Sequence, residues 1–152
     1  MTADRAGRDD LHVEIGRRLA LTRNRYTRGR RTLVDALAAA GRPMTLPDIV
    51  AVTPGLAASS AYRNLDVLER CDVVRRIRAA GDHTHFELAE PLLDHHHHLI
   101  CVGCGAIQDV RLADELERLV DENLAAAARR AGFTPLHHSL DLHGRCASCG
   151  PT

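Results

Sequence analysis

The chain has 152 residues and a formal net charge of zero, with twenty Arg and no Lys against twenty Asp and Glu, and ten His. That length suits one ordinary domain or two small ones. With aromatics at 3% the core must be built from Leu, Val and Ala, and lobes so poor in large side chains often need a metal or a second chain. No apolar run approaches the ~18 residues of a membrane span, and the polar start, Met1–Asp10, holds no signal-peptide core, so the expectation is a cytoplasmic protein with no membrane partner.

The neutrality hides a split. Residues 1–89 carry fifteen Arg against eleven acids, residues 90–152 five Arg against nine, and seven Arg with no acid fall in Ile15–Arg31. A basic patch on a neutral chain is either a solvated face or a phosphate-contacting surface. Seven of the ten His and four of the five Cys lie after residue 90. Both signals divide the chain into residues 1–89, a hinge at 90–94 and residues 95–152.

Asp10 is placed to cap a first helix with Leu11, Ile15, Leu19 and Leu21 on its inner side. Thr27 opens a second, with Leu33, Val34 and Leu37 inward and a stop at Gly41. Thr45-Leu46-Pro47-Asp48 begins a short third, and Pro54-Gly55 turns into a fourth over Ala58–Arg70 with Ala61, Leu65 and Leu68 inward. Val73–Ile77, a turn at residues 79–82 and His83–Leu88 read as a β-hairpin. Helices followed by a hairpin give the order of a winged helix-turn-helix, whose second helix of the pair enters the major groove. Ser59, Ser60, Tyr62, Arg63 and Asn64 stand at its start; hydroxyls, Asn and Arg all reach phosphates or base edges, and the sequence leaves open which does which.

Cys101-Val-Gly-Cys104 and Cys146-Ala-Ser-Cys149 are two C-x-x-C pairs with Gly after each second Cys. Together they make a tetrahedral Cys₄ set suited to structural Zn²⁺, closed to chemistry because four thiolates leave no open position. Cys71 reads as a buried small apolar residue. His95–His98 runs into the first pair. On a strand, neighbours face opposite ways, so His96 and His98 share one face and His95 and His97 the other, and one segment can feed two metal sites. Leu136–His143 alternates as a strand, with His138 in the row of Leu136, Leu140 and Leu142. Between them a helix over Leu112–Ala131 ends at Gly132 and offers Glu115, Glu117, Asp121 and Glu122.

These features resemble the ferric-uptake-regulator family of metal-dependent transcriptional repressors. The matching text is Ser60-Ala-Tyr62-Arg63-Asn64-Leu65, Phe86-Glu87-Leu88, His95–His98-Leu-Ile-Cys101-x-x-Cys104-Gly105, His138-Ser-Leu and Cys146-x-x-Cys149. The resemblance implies an α+β fold, a winged helix-turn-helix followed by a small α/β dimerisation domain with the Cys₄ zinc. It implies a cytoplasmic homodimer that binds A·T-rich palindromic operators in double-stranded DNA when metal is loaded at the hinge. Arg25, ahead of the second helix, would reach the minor groove. The regulatory site would use Glu87, His96, His98 and Asp109, with Fe²⁺, Zn²⁺ or Mn²⁺. No His stands at residues 41–44, where the family usually supplies a further ligand, so His12, His83, His85, Asp109 or water would serve. A second site would combine His95, His97 and His138 with Asp121, or with Glu117 one turn earlier.

A His and carboxylate set also fits a peroxide-sensing member of the family. A metal-buffering protein without specific DNA binding is a further alternative. No His-Glu-x-x-His or nucleophile motif supports an enzyme.

Overall fold

A computed structural model describes residues 2–79 and 84–150, and within these the side chains of all but residues 2–8 and 91. It divides into two compact units, one up to Asp94 and one from His95.

The first unit opens with helix α1, Thr2–Leu21, which starts well before the expected cap; Asp10 is an exposed interior residue. Ile15 and Leu19 are fully buried and Leu11 partly so, one helical turn apart on a single face, whereas Leu21 is exposed where the helix ends. Helix α2, Arg28–Ala40, buries Leu33, Val34 and Leu37 and stops at Gly41, whose φ of 56° is the left-handed conformation that glycine adopts without strain. A two-residue strand β1, Met44–Thr45, follows. It is too short to carry a periodic signal. Thr45 then caps α3, Leu46–Val52, in a reciprocal capping box with Asp48. Helix α4, Ala58–Arg70, turns Ala61, Leu65 and Leu68 into the core.

Strands β2, Val74–Arg78, and β3, Thr84–Leu88, pair antiparallel, with Arg75 opposite Glu87 and Arg76 opposite Phe86. β1 closes the other side of β3, giving the order β1-β3-β2. The expected start of the second hairpin strand at His83, and most of its turn, lie outside the described residues. Phe86, Leu88 and Val74 join the helical residues in one hydrophobic core. This is the winged helix-turn-helix order, with Thr53, Pro54 and Gly55 between α3 and α4. A 3₁₀ turn over Glu90–Leu92 follows β3.

The second unit is a three-stranded sheet of order β5-β4-β6, where β4 is His97–Cys101, β5 Ile107–Val110 and β6 Asp141–Gly144. β5 runs antiparallel to β4 and β6 parallel to it. The parallel pairing needs a long crossover, which helix α5, Asp114–Arg130, helps to supply. Two expectations shift here. The helix starts at Asp114, not Leu112. Only the last part of the alternating run 136–143 forms a strand, because β6 finds its backbone partners along His98–Cys101, and the residues before Asp141 lie outside that register. The apolar row is accordingly uncovered within the chain: Leu136, Leu140 and Leu142 are exposed, as are Leu116, Leu119 and Leu124 of α5.

Candidate metal centres and nucleic-acid face

The four cysteines Cys101, Cys104, Cys146 and Cys149 offer sulfurs within 4.8 Å of one another, and none forms a disulfide. Cys101 ends β4, Cys104 closes the turn after it, and Cys146 and Cys149 bracket a 3₁₀ turn. Backbone amides of Cys104 and Cys146 point at the Cys101 sulfur, the latter at 3.3 Å, and hold that thiol down to about 5. Hydrogen bonding with the sulfurs of Cys146, Cys104 and Cys101 pushes Cys149 up to about 12. Gly103 is required for the approach: a Cβ there would stand 3.0 Å from Cys149 Sγ and 3.2 Å from its Cβ. Cys104 and Cys146 sulfurs lie 3.7 Å apart, which matches the edge of a tetrahedron of Zn–S bonds about 2.3 Å long. The cluster fits a structural zinc site.

The His run divides as expected, although β4 begins only at His97. His95, His97, Glu117 and His138 form one group and His96, His98 and Asp109 lie together in another. In the first, Glu117 sits at the centre. Its carboxylate oxygens lie 2.9 Å from His95 Nε2, 2.9 Å from His97 Nε2 and 3.0 Å from His138 Nε2. Glu117 Oε1 and His138 Nε2 are buried and close yet lack hydrogen-bond geometry, which is how ligand atoms converge on a shared cation. Burial works to raise the Glu117 carboxyl, but the hydrogen bond with His97 and the imidazoles around it hold it below the usual carboxylate range.

Asp121, the acid preferred from sequence, does not join this group. It contacts His138 Nδ1 at 2.8 Å, on the far side of that ring. Glu117 is four residues earlier on the same face of α5, and that one turn brings it to the histidines. Asp121 instead fixes the ring so that Nε2 faces Glu117, the usual arrangement behind a metal-binding His.

In the other group, His98 is fully buried on the central strand between two acids. Its register partners are Asp109 on β5 and Asp141 on β6. Nδ1 lies 3.0 Å from Asp141 Oδ1, and Nε2 lies 4.0 Å from Asp109 Oδ1. His96 meets His98 edge-on, ring centroids 5.1 Å apart. Asp141 was missed from the sequence; its place opposite His98 depends on the parallel register of β6. In the first unit Glu87 is buried at 3% exposed, with Oε1 2.8 Å from Arg75 Nη2 across the hairpin. Of the other expected ligand candidates, His12 bonds Tyr26 and Asp35 instead, His85 is buried on β3, and His83 lies outside the described residues.

On α4, Ser59, Tyr62 and Arg63 are exposed and Ser60 half-buried. Tyr62 is backed by Arg76 of β2, whose guanidinium lies 5.6 Å from the Tyr62 ring centroid and 5.3 Å from that of Phe86. Asn64 Nδ2 donates to the Ser60 carbonyl at 2.9 Å and its Oδ1 accepts from Arg30 Nε at 3.2 Å, which leaves one N–H and one lone pair of the half-buried amide beyond these two bonds. Arg30 also donates to the carbonyl of exposed Arg25. Asn64 thereby helps fix the loop that carries Arg25 beside α4.

The model of the ferric uptake regulator family matches residues 22–143. A ferric uptake regulation protein of Synechococcus elongatus is 34% identical over 94 residues, covering 62% of this chain and 60% of that protein. A peroxide operon regulator of Bacillus subtilis is 30% identical over 98 residues, covering 63% of this chain and 61% of the relative. The match spans about three fifths of the length of these curated relatives. The solved ferric uptake regulator of Helicobacter pylori, a protein with three functional metal-binding sites, shares the fold with a TM-score of 0.71 at 19% identity, over 95% of both chains. From the zinc-type cysteine cluster, the divided histidine run and the winged helix-turn-helix to the match along most of its length, this chain belongs to the ferric uptake regulator family.

Proposed function

We propose that this protein is a metal-responsive transcriptional repressor that binds A·T-rich palindromic operators in double-stranded DNA as a homodimer, in iron or zinc homeostasis. The observation that carries the reading is the single strand β4 feeding two separate His and carboxylate groups, in a chain that also holds a helix-turn-helix with an Arg-rich flank. Cys101, Cys104, Cys146 and Cys149 hold structural Zn²⁺. Glu87, His96, His98 and Asp109 would hold the regulatory ion, Fe²⁺, Zn²⁺ or Mn²⁺, whose positive charge would balance the two carboxylates. Loss of either side's ligands uncouples the wing from the dimer domain. His95, His97, Glu117 and His138 form the second site.

Tyr62, Arg63, Ser59 and Ser60 face the major groove and Arg25 the minor groove. The exposed leucines of α5 and of residues 136–142 support a dimer surface, since an apolar area this broad is rarely left to water.

Fluorescence anisotropy with the chain's own upstream DNA, at buffered free Zn²⁺, Mn²⁺ or anaerobic Fe²⁺, tests the reading. One metal is expected to tighten binding by ~10-fold or more, or about 1.4 kcal/mol of coupling. Equal affinity with and without every metal, in a protein that still binds zinc, overturns it. The N- and O-only ligand set outside the cysteines favours a second reading, a peroxide sensor. Iron-loaded protein treated with hydrogen peroxide would then gain oxygen on His96 or His98, read by peptide mass, and release DNA.

A further inference from the structure

His12 belongs to none of the three metal-type groups. His12, on α1, is 8% exposed, and both its ring nitrogens are engaged. Nδ1 stands 2.7 Å from the Tyr26 hydroxyl and Nε2 3.0 Å from Asp35 Oδ1. The link runs from the interior to the surface: His12 is buried, Tyr26 is half-buried against the aliphatic core, and the Asp35 side chain is 47% exposed. Three elements meet in it, since His12 belongs to α1, Tyr26 to the loop before α2, and Asp35 to α2. Burial and the nearby Asp35 push the Tyr26 hydroxyl above its ordinary range, with Arg31 pulling weakly the other way. Tyr26 therefore keeps its proton, and its hydroxyl and Nδ1 share one directional hydrogen bond.

Burying the His12 ring costs desolvation that an aliphatic side chain would avoid, so the advantage of the link is direction. Aliphatic contacts hold two surfaces together without fixing the angle between them, whereas an O–H···N bond fixes it. The residue whose angle is fixed is Tyr26, and the residue before it is Arg25. The Tyr26 ring lies along α1 beside Gly16, where an added Cβ would be 3.9 Å from Cδ1. The Arg25 carbonyl is held from the other side by Arg30. The loop is clamped twice, through the backbone of one residue and the side chain of the next.

We infer that His12 and Tyr26 are positioning residues for DNA recognition, holding the loop so that the exposed Arg25 guanidinium is presented in one direction to the minor groove of the operator. The inference rests on the proposed DNA contact of Arg25, and the experiment separates the two.

The probe is a duplex selected from a randomised pool by the metal-loaded wild-type protein, together with a version whose flanking A·T pairs are replaced by G·C. Full-length Tyr26→Phe keeps the ring and loses only the hydroxyl; His12→Gln is the companion variant. Each is expected to bind the selected duplex about 3- to 10-fold more weakly, the scale of one lost hydrogen bond, with a narrowed A·T over G·C preference and a thermal midpoint close to wild type. In an Arg25→Ala background, Tyr26→Phe should add no further loss. Unchanged affinity in Tyr26→Phe, with Arg25→Ala still weakened, overturns the positioning role and leaves the Arg25 contact standing. Additive losses in the double variant also overturn it, because the network would then act independently of Arg25. Wild-type affinity in Arg25→Ala removes the contact itself and the inference with it.

Discussion

His98 Nδ1 lies 3.0 Å from Asp141 Oδ1, directly across the parallel pair β4–β6. A carboxylate there accepts a hydrogen bond from Nδ1–H and so favours the tautomer in which Nε2 carries the lone pair toward Asp109 in the fully buried ring. Asp141→Ala should therefore weaken metal binding at the regulatory site by roughly 10- to 100-fold while the cysteine-bound zinc stays in place. Competition with a chromophoric chelator, alongside total zinc by mass spectrometry, reads the two separately. Undiminished affinity would show that Asp141 does not orient His98.

The roles of the two acids on α5 are expected to separate cleanly. Glu117→Ala removes the carboxylate central to His95, His97 and His138 and should abolish stoichiometric metal at the second site. Asp121→Asn removes only the partner behind His138 and should weaken the site by about 10-fold. Equilibrium dialysis of both variants checks the order; the reverse order would restore Asp121 as the ligand.

The cysteine cluster sets a pH signature in zinc-stripped protein. The folded-state pKa of Cys101 is depressed from 9.0 to about 5, so its contribution to stability is complete above pH 9 and is lost as pH falls from there through 5. Cys149 is raised from 9.0 to about 12, so its contribution is present below pH 9 and lost as pH rises through 12. Thiolate absorbance near 240 nm should therefore retain one thiolate per chain down to about pH 5. Zinc should abolish the high-pH proton of Cys149, and Cys146→Ser should lose zinc.

In the first unit, Leu65 is fully buried between the helices and the sheet. Leu65→Ala should cost about 2–5 kcal/mol. Thr45→Ala, which breaks the capping box with Asp48, should cost about 1 kcal/mol. Urea unfolding resolves both, and metal content should be unchanged in either variant.

What the sequence by itself determined is whatever repeats along the chain or depends on neighbours. The C-x-x-C pairs, the bounds of α4, the Gly41 stop, the Thr45 cap and the opposite facing of alternate histidines all follow from local geometry with a fixed period. Tertiary structure alone decided contacts whose partners are far apart in the chain. Glu117 and Asp121 share one face of one helix, so periodicity could not choose between them; the docking of α5 did, by a single turn. Asp141 meets His98 only through the register of a parallel pairing that spans 43 residues. That Asn64 also braces Arg30 of another helix is likewise a matter of packing that its place on α4 does not reveal. His12 drew notice only as a spare ligand, since the tyrosine and aspartate that satisfy it lie 14 and 23 residues away. Side chains of this kind are placed by how elements pack, and packing is a property of the assembled core that no local pattern encodes.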